Sequence, residues 1–316
     1  MSASRPSPWP SRTVNRQQMN RPRLAQTPIA LCASPWPDYR LVDSGDGRKL
    51  ERYGERLVVR PEPQCLWTAA ISDEAWTQAD ATFEPSDEDE AGRWRFRDDI
   101  PESWPLVWRN VRFLARFTAF RHLAVFPEHA ANWEWITDRL ARRPGAKMLN
   151  LFGYTGIASL AAASAGAAVT HVDASRRAVG WARENAALSE LDGAPIRWIC
   201  EDARKWVSRE VRRGARYDAI LLDPPKFGRG PAGETWRLYD DLPDLMAGCA
   251  SLLSDTPSFL ILNAYSERIT GLALANVLAD ALGPRGGIID WGELALTEDS
   301  GGRAVGLSFF ARWSAP

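Results

Sequence analysis

The segment Asp223-Pro224-Pro225-Lys226-Phe227 holds the residue types most specifically suited to chemistry. Two consecutive prolines fix φ and remove two backbone donors, so the turn offers carbonyl oxygens, a carboxylate and an aromatic ring on a stiff frame. A carboxylate and a carbonyl accept N–H or O–H protons, and the Phe227 ring can stack on a planar group. Three other segments carry related signatures. In Asn150-Leu151-Phe152-Gly153-Tyr154-Thr155-Gly156 the two glycines let the backbone pass close to a ligand, and the helix start behind them favours an anion such as a carboxylate. A strand-to-helix turn without a ligand would read the same, and the third glycine of the dinucleotide pattern is missing. Asp173, followed by Ala174, comes about 20 residues after that turn, the spacing of an acid that accepts from ribose hydroxyls; a helix N-cap is the alternative. Asp202, followed by Ala203, suits the exocyclic amine of adenine or, again, an N-cap.

These segments act together only if they end strands of one sheet. Apolar runs at 147–152, 168–173, 196–201, 217–223 and 258–264 alternate with helical patterns at 156–165, 175–188, 203–213, 236–252 and 269–282. That rhythm predicts an α/β fold with a parallel sheet covered on both faces, whose ligands sit beyond the carboxyl ends of the strands near the switch in strand order. A helix at 129–142 leads into it, and runs at 287–296 and 304–313, joined by a short polar segment, predict an antiparallel hairpin that closes the sheet. Residues 38–126 read as a smaller β-rich unit with strands at 39–43, 48–53 and 56–60 and a hairpin turn at Asp46-Gly47. Trp36, Trp67, Trp76, Trp94, Trp104 and Trp108 are expected mostly to anchor its core, and the acid-rich stretch 82–92 to form a solvated loop.

The length of 316 residues fits two globular units, each with its own core, plus a tail. The division expected is a basic, disordered tail over 1–37, the β-rich unit over 38–126 and the α/β domain over 127–316. The tail carries Arg5, Arg12, Arg16, Arg21 and Arg23 without an acid, which leaves the remainder mildly acidic, so a polyanion would have to meet local patches. Two candidates are Lys205, Arg209, Arg212 and Arg216 on one helical stripe, and Arg109, Arg112, Arg116 and Arg121; a solvated face is the competing reading of each. The longest nearly apolar run, 157–169, is far short of the ~20 residues of a membrane span, so no membrane partner is expected. Cys32, Cys65, Cys200 and Cys249 are scattered without a CxxC pair, which argues against a zinc site and a disulfide framework and predicts a reducing, cytoplasmic setting. Nothing in the sequence sets an oligomeric state.

At the four segments the chain resembles class I S-adenosylmethionine-dependent methyltransferases, from about residue 126 to the C-terminus. Most closely it resembles the DPPKF-containing branch related to bacterial 23S ribosomal RNA methyltransferases. The resemblance implies a Rossmann-like seven-stranded sheet behind a smaller β-rich N-terminal domain, S-adenosylmethionine as cofactor, no metal, and a base in RNA, ribosomal RNA above all, as acceptor. By position it assigns Phe152, Gly153, Tyr154, Thr155 and Gly156, with Asn150 ahead of them, to the methionine part of the cofactor. It assigns Asp173 with Ala174 to the ribose, Asp202 with Ala203 to adenine, and Asp223, Pro224, Pro225 and Phe227 to the acceptor. Phe126-Pro127-Glu128-His129 stands where the family has an aromatic and acidic loop bordering the cofactor. Relatives that make 5-methylcytosine attack the base with a cysteine after the fifth strand. Here that stretch is Leu262-Asn263-Ala264-Tyr265-Ser266, so transfer to nitrogen or oxygen is expected. A small molecule or a protein side chain is the other acceptor class, in keeping with the net acidity and the lack of a recognisable PUA-type RNA module.

Overall fold

The computed structural model describes residues 21–86, 92–265 and 268–316. Its first elements already correct the expected tail: β1 (Arg23–Leu24) and β2 (Ile29–Cys32) are strands, and Trp36 is buried. Backbone donors and acceptors in these short stretches find partners on a distant sheet edge, which local composition cannot reveal. The rest of the tail, 1–20, lies outside the described residues.

A five-stranded sheet follows, in the order β3 (Tyr39–Gly45), β4 (Arg48–Tyr53), β5 (Arg56–Pro61), β6 (Ala81–Pro85), β7 (Gly92–Phe96). Asp46 and Gly47 both take positive φ, 50° and 74°, which is what a two-residue turn between twisted antiparallel strands demands. The short helix α1 (Asp73–Thr77) lies between β5 and β6, the parallel pair of this sheet. The expected loop at 82–92 is corrected in part: Phe83 is buried on β6, and 87–91 fall outside the described residues. A separate hairpin, β8 (Ser103–Trp108) and β9 (Val111–Arg116), completes the β-rich part.

Beyond it come α2 (Ala130–Leu140), β10 (Lys147–Leu151), α3 (Ile157–Ser164), β11 (Ala168–Asp173), α4 (Arg176–Leu188), β12 (Ile196–Cys200), α5 (Ala203–Arg212) and β13 (Ala219–Leu222). A small hairpin, β14 (Phe227–Arg229) and β15 (Thr235–Arg237), leads into α6 (Leu238–Leu252), β16 (Phe259–Ala264), α7 (Gly271–Leu282), β17 (Ile288–Thr297) and β18 (Ala304–Ser314). The large sheet runs β17-β18-β16-β13-β10-β11-β12, the seven strands expected, and becomes nine-stranded because β1 and β2 pair with the outer edge of β17. From β12 to β16 the pairing is parallel and every residue of β13 and β16 is buried, so these strands read as unbroken apolar runs. The helices α5, α6 and α7 cover one face and α2, α3 and α4 the other. Among the described residues no helix is long and apolar enough to cross a membrane.

The β-rich part does not keep a core wholly to itself. One buried cluster joins Trp36, Tyr53, Trp104 and Phe113 to Trp133, Ile157 and Leu160 of the α/β part and to Leu296 and Val305 of the β17–β18 hairpin. The tip of that hairpin also docks on β3: Asp299 N donates to Leu41 O at 2.9 Å, Ser300 N to Val42 O at 3.1 Å and Ser300 Oγ to the buried Asp43 at 2.5 Å. Four of the six tryptophans are buried as expected, and Trp67 and Trp94 are partly covered against the same cluster.

Inside the five-stranded sheet, Arg60 grips the buried Glu51 with two hydrogen bonds of 2.7 Å, and Tyr39 and Tyr53 donate to the same carboxylate at 2.9 and 3.1 Å. Burial by itself would raise the Glu51 carboxyl, but Arg60, Lys49 and these donors bring it from 4.5 to about 2. The pair therefore supports the fold above pH 4.5 and loses that support as pH falls through about 2. Arg60→Met should cost ~3–5 kcal/mol in urea denaturation at pH 7, because it strands a buried carboxylate, and the penalty should shrink in acid as Glu51 is protonated.

Candidate active site

Four loops leave the large sheet side by side. Leu151 pairs with both Val172 and Leu222, and Asp173 with Cys200, so β12, β11, β10 and β13 end at one edge, and the strand order reverses between β10 and β13. A crevice at such a reversal is where an open parallel sheet binds its ligands.

The turn after β10 is held in an uncommon conformation. Phe152 and Tyr154, neither a glycine, have φ of 56° and 46°, and Gly156 has 81°. Neighbouring elements stabilise it: Gly153 N donates to Val172 O at 3.1 Å, Thr155 Oγ1 to Ala124 O at 2.8 Å and Asn185 Nδ2 to Thr155 O at 2.9 Å. Left-handed non-glycine residues cost on the order of 1–3 kcal/mol each and persist where the surroundings over-determine them. The glycines also answer to packing, since a Cβ on Gly153 would stand 2.4 Å from His171 Cε1 and one on Gly156 2.8 Å from Ala182 Cβ. Asn150 braces the turn from below: its Nδ2 donates to Ser159 Oγ at 2.9 Å, and Ser159 in turn meets His171 Nδ1 at 3.0 Å.

The two acids beside this turn are not equivalent. Asp173 is not the helix cap; Ser175 caps α4 through Ala178 N. Asp173 instead receives Tyr154 N at 2.9 Å and Ser175 N at 2.8 Å, one on each oxygen, and stays partly exposed. Burial raises its carboxyl above the ordinary value, with those two donors pulling the other way. Asp202 does cap α5, accepting from Arg204 N at 3.0 Å and Lys205 N at 3.1 Å, and lies 3.4 Å from the Arg204 guanidinium. Its carboxylate is thus largely engaged, in line with the N-cap alternative. Ala203 is buried, and Ala174 O receives the Cys200 thiol at 3.6 Å.

The Asp223–Phe227 turn divides into a buried and an exposed half. Pro224 is buried, whereas Pro225 is exposed and its carbonyl is occupied by Trp236 Nε1 at 2.7 Å, which removes one of the acceptors expected of this turn. Phe227 opens the β14–β15 hairpin and is 64% exposed, with Lys226 Nζ 5.5 Å from its ring centroid. Asp223 Oδ1 is buried with no hydrogen-bond partner among the described residues, and burial raises this carboxyl. The opposite wall comes from the short 3-10 turn Pro127–His129 and from Tyr265, next to the end of β16. His129 Nδ1 stands 3.7 Å from Asp223 Oδ2, and the Phe126 and Tyr265 rings lie 5.5 Å apart. Glu128 and His129 fall in a segment singled out from sequence, but Tyr265 was missed; its place directly after a fifth parallel strand was the available signal.

Five of the eight basic residues expected to form positive patches meet acids. Arg109 meets Glu134 and Asp138, Arg112 meets Glu190, Arg116 meets Glu184, Lys205 meets Glu234 and Arg209 meets Glu201.

Comparison with known proteins bears on the family and the fold. The family described as S-adenosylmethionine-dependent methyltransferase matches residues 53–263. The crystal structure of the SAM-dependent methyltransferase from Agrobacterium tumefaciens is 48% identical, covers 93% of this chain and 96% of its own, and superposes with a TM-score of 0.90. SMU.776, a structure complexed with SAH, is 18% identical, covers 89% of this chain and 76% of its own at a TM-score of 0.71, and so supports the fold. Among curated proteins, the ribosomal RNA large subunit methyltransferase K/L of Shewanella frigidimarina is 32% identical over 156 residues, 49% of this chain. The match spans 21% of that relative's length.

His171, beneath the Gly153 turn, is fully buried, and burial lowers its pKa from 6.5 to about 3; burial likewise takes His122 to about 4. The unfolded chain therefore binds more protons below pH 6.5, and stability should fall from there toward pH 3. His171→Asn should flatten this acid slope by up to ~1.4 kcal/mol per pH unit, read from urea midpoints between pH 7 and 4.

Proposed function

We propose, for a chain that belongs to the S-adenosylmethionine-dependent methyltransferases, that the methyl acceptor is a base in RNA, ribosomal RNA above all, alkylated at nitrogen or oxygen. The observation that carries this reading is the pairing of an exposed ring, Phe227, with a partly buried carboxylate, Asp223, whose Oδ1 has no partner among the described residues, at the same strand end. Stacking on such a ring contributes ~1–3 kcal/mol per base and requires an unpaired or flipped nucleotide. The name of the curated relatives adds support. We read 127–316 as the catalytic domain, 38–126 as the β-rich domain, and the four free cysteines as suited to a reducing cytoplasm.

S-adenosylmethionine supplies an electrophilic methyl carbon that is already activated, so the protein has to align the acceptor and exclude water. The strained turn from Phe152 to Gly156, backed by the N-terminus of α3, would hold the methionine end, and the partly exposed Asp173 the ribose. The adenine would lie along Ala174, Asp202 and Ala203, with Asp202 contributing only what its capping role leaves free. Asp223 and the Pro224 carbonyl accept the acceptor's N–H bonds and direct its lone pair. A covalent thiolate route is disfavoured, because Cys249 is buried in α6 with its thiol pushed up by burial, and neither 223–227 nor 262–265 contains a cysteine.

A second reading, a small-molecule or protein side-chain acceptor, is favoured by the acid-paired arginines. Binding through several phosphates weakens steeply with salt, so salt-dependent retention of the protein on RNA separates the two readings. Mass spectrometry of ribosomal RNA from a strain lacking the gene should reveal one methyl group missing; unchanged RNA would leave the second reading standing. Asp173→Ala should weaken S-adenosylmethionine binding by ~1–3 kcal/mol in calorimetry. Phe227→Ala should instead lower turnover while leaving that affinity within about twofold of wild type, since the ring is assigned to the acceptor side.

A further inference from the structure

From Asp223 a chain of side chains runs into the protein. Asp223 Oδ2 is 3.7 Å from His129 Nδ1, His129 Nε2 is 2.7 Å from the Tyr265 hydroxyl, and that hydroxyl donates to Glu128 Oε1 at 2.5 Å. The His129 and Tyr265 rings stack at 5.7 Å with an interplanar angle of 5°, and Glu128 and His129 are buried. Asp223, Tyr265 and Glu128 are the titratable groups around the imidazole, and Phe126 stands against it as well.

The donors and acceptors can be assigned in turn. A phenol has one proton, and burial beside Glu128 keeps it on Tyr265. Since that proton goes to Glu128, the phenol oxygen must accept from His129 Nε2–H. A neutral His129 then turns a bare Nδ1 lone pair toward a carboxylate. An added proton converts this unfavourable contact into a charge-assisted hydrogen bond, the geometry of a base awaiting its proton. The 3.7 Å separation is longer than a hydrogen bond, as is common at catalytic sites before substrate binds.

We propose that Asp223 and His129 work as one proton-accepting pair in methyl transfer, with Tyr265 and Glu128 fixing the tautomer of His129. The proposal rests on the reading that Asp223 faces the acceptor. The acceptor's lone pair forms the new bond to the methyl carbon while the carbon–sulfur bond breaks with its electrons on sulfur. The alkylated nitrogen or oxygen is then cationic and sheds one proton to Asp223. Transfer to His129 Nδ1 leaves an aspartate–imidazolium ion pair, which returns the proton to solvent between turnovers. Asp223 touches the acceptor in this scheme, whereas His129 acts through it.

Three histidines make the test direct, because burial holds His122 at about 4 and His171 at about 3. In the full-length protein labelled with 15N-histidine, the neutral form of His129 should be the Nε2–H tautomer, with Nδ1 unprotonated and facing Asp223. Asp223→Asn should move the His129 Nδ1 resonance, since the carboxylate stands 3.7 Å from that nitrogen. An Nδ1–H tautomer, or an Nδ1 resonance indifferent to Asp223→Asn, overturns the pair whatever the acceptor is. With RNA from a strain lacking the gene as substrate, His129→Phe, which keeps the stacking, should lower kcat at least tenfold and abolish the acid limb of its pH profile, with cofactor affinity unchanged. A profile that keeps its acid limb would also overturn the pair. If the wild-type protein methylates no RNA, the functional reading fails, and the histidine spectra still decide the pair.

Discussion

The parallel hydrogen-bond register around β10 is the constraint on which the site depends. Leu151 is bonded between Val172 on one side and Leu222 on the other, so the chain must leave β10, β11 and β13 at the same height. Side chains separated by twenty to seventy positions in sequence become neighbours for that reason alone. The reversal of strand order between β10 and β13 sends the flanking helices to opposite faces, the arrangement in which an open sheet forms a ligand crevice beyond its strand ends.

The β-rich part and the chain that leads out of it border the site rather than standing apart. The chain leaving β9 supplies Ala124, whose carbonyl holds Thr155, and then Phe126, Glu128 and His129. Asn185 on α4 ties the two parts together, accepting from Leu114 N at 3.0 Å and donating to Thr155 O. With the docked tip of the β17–β18 hairpin and the shared apolar cluster, these contacts make the geometry of the pocket a property of both parts. A strained turn needs such support, because its unfavourable φ values must be offset by contacts from elements that do not themselves strain.

Buried charge is treated in two ways. Glu51 is surrounded by Arg60 and two phenols, and its carboxyl is held low. Asp223 keeps one oxygen without a partner, and its carboxyl is held high. The first arrangement contributes to stability; the second leaves one desolvated acceptor atom without a partner among the described residues.

Much of the α/β part was legible in the sequence, because its signals are local. The strand 168–173 and the helix end at 188 coincide with the apolar pattern, since a strand buried on both faces and an amphipathic helix each write their period into neighbouring residues. The Asp223–Phe227 turn was legible for the same reason, two prolines in a row. Long-range pairing was not. β1 and β2 acquire their strand character only from the edge of β17, and the contact of Tyr265 with His129 joins positions 136 residues apart. The competing roles of Asp173 and Asp202 look alike in sequence, an acid before a helix in each case. Only the fold separates them, because Ser175 takes the cap of α4 and leaves Asp173 at the edge, while Asp202 has no such substitute on α5. Within the α/β part the sequence by itself determined most of the segments that become strands and helices, and the stiff turn at Asp223. Which of their polar atoms are satisfied, and which are left to meet a ligand, was decided by tertiary structure, since a donor and acceptor count closes only when every neighbour is in place.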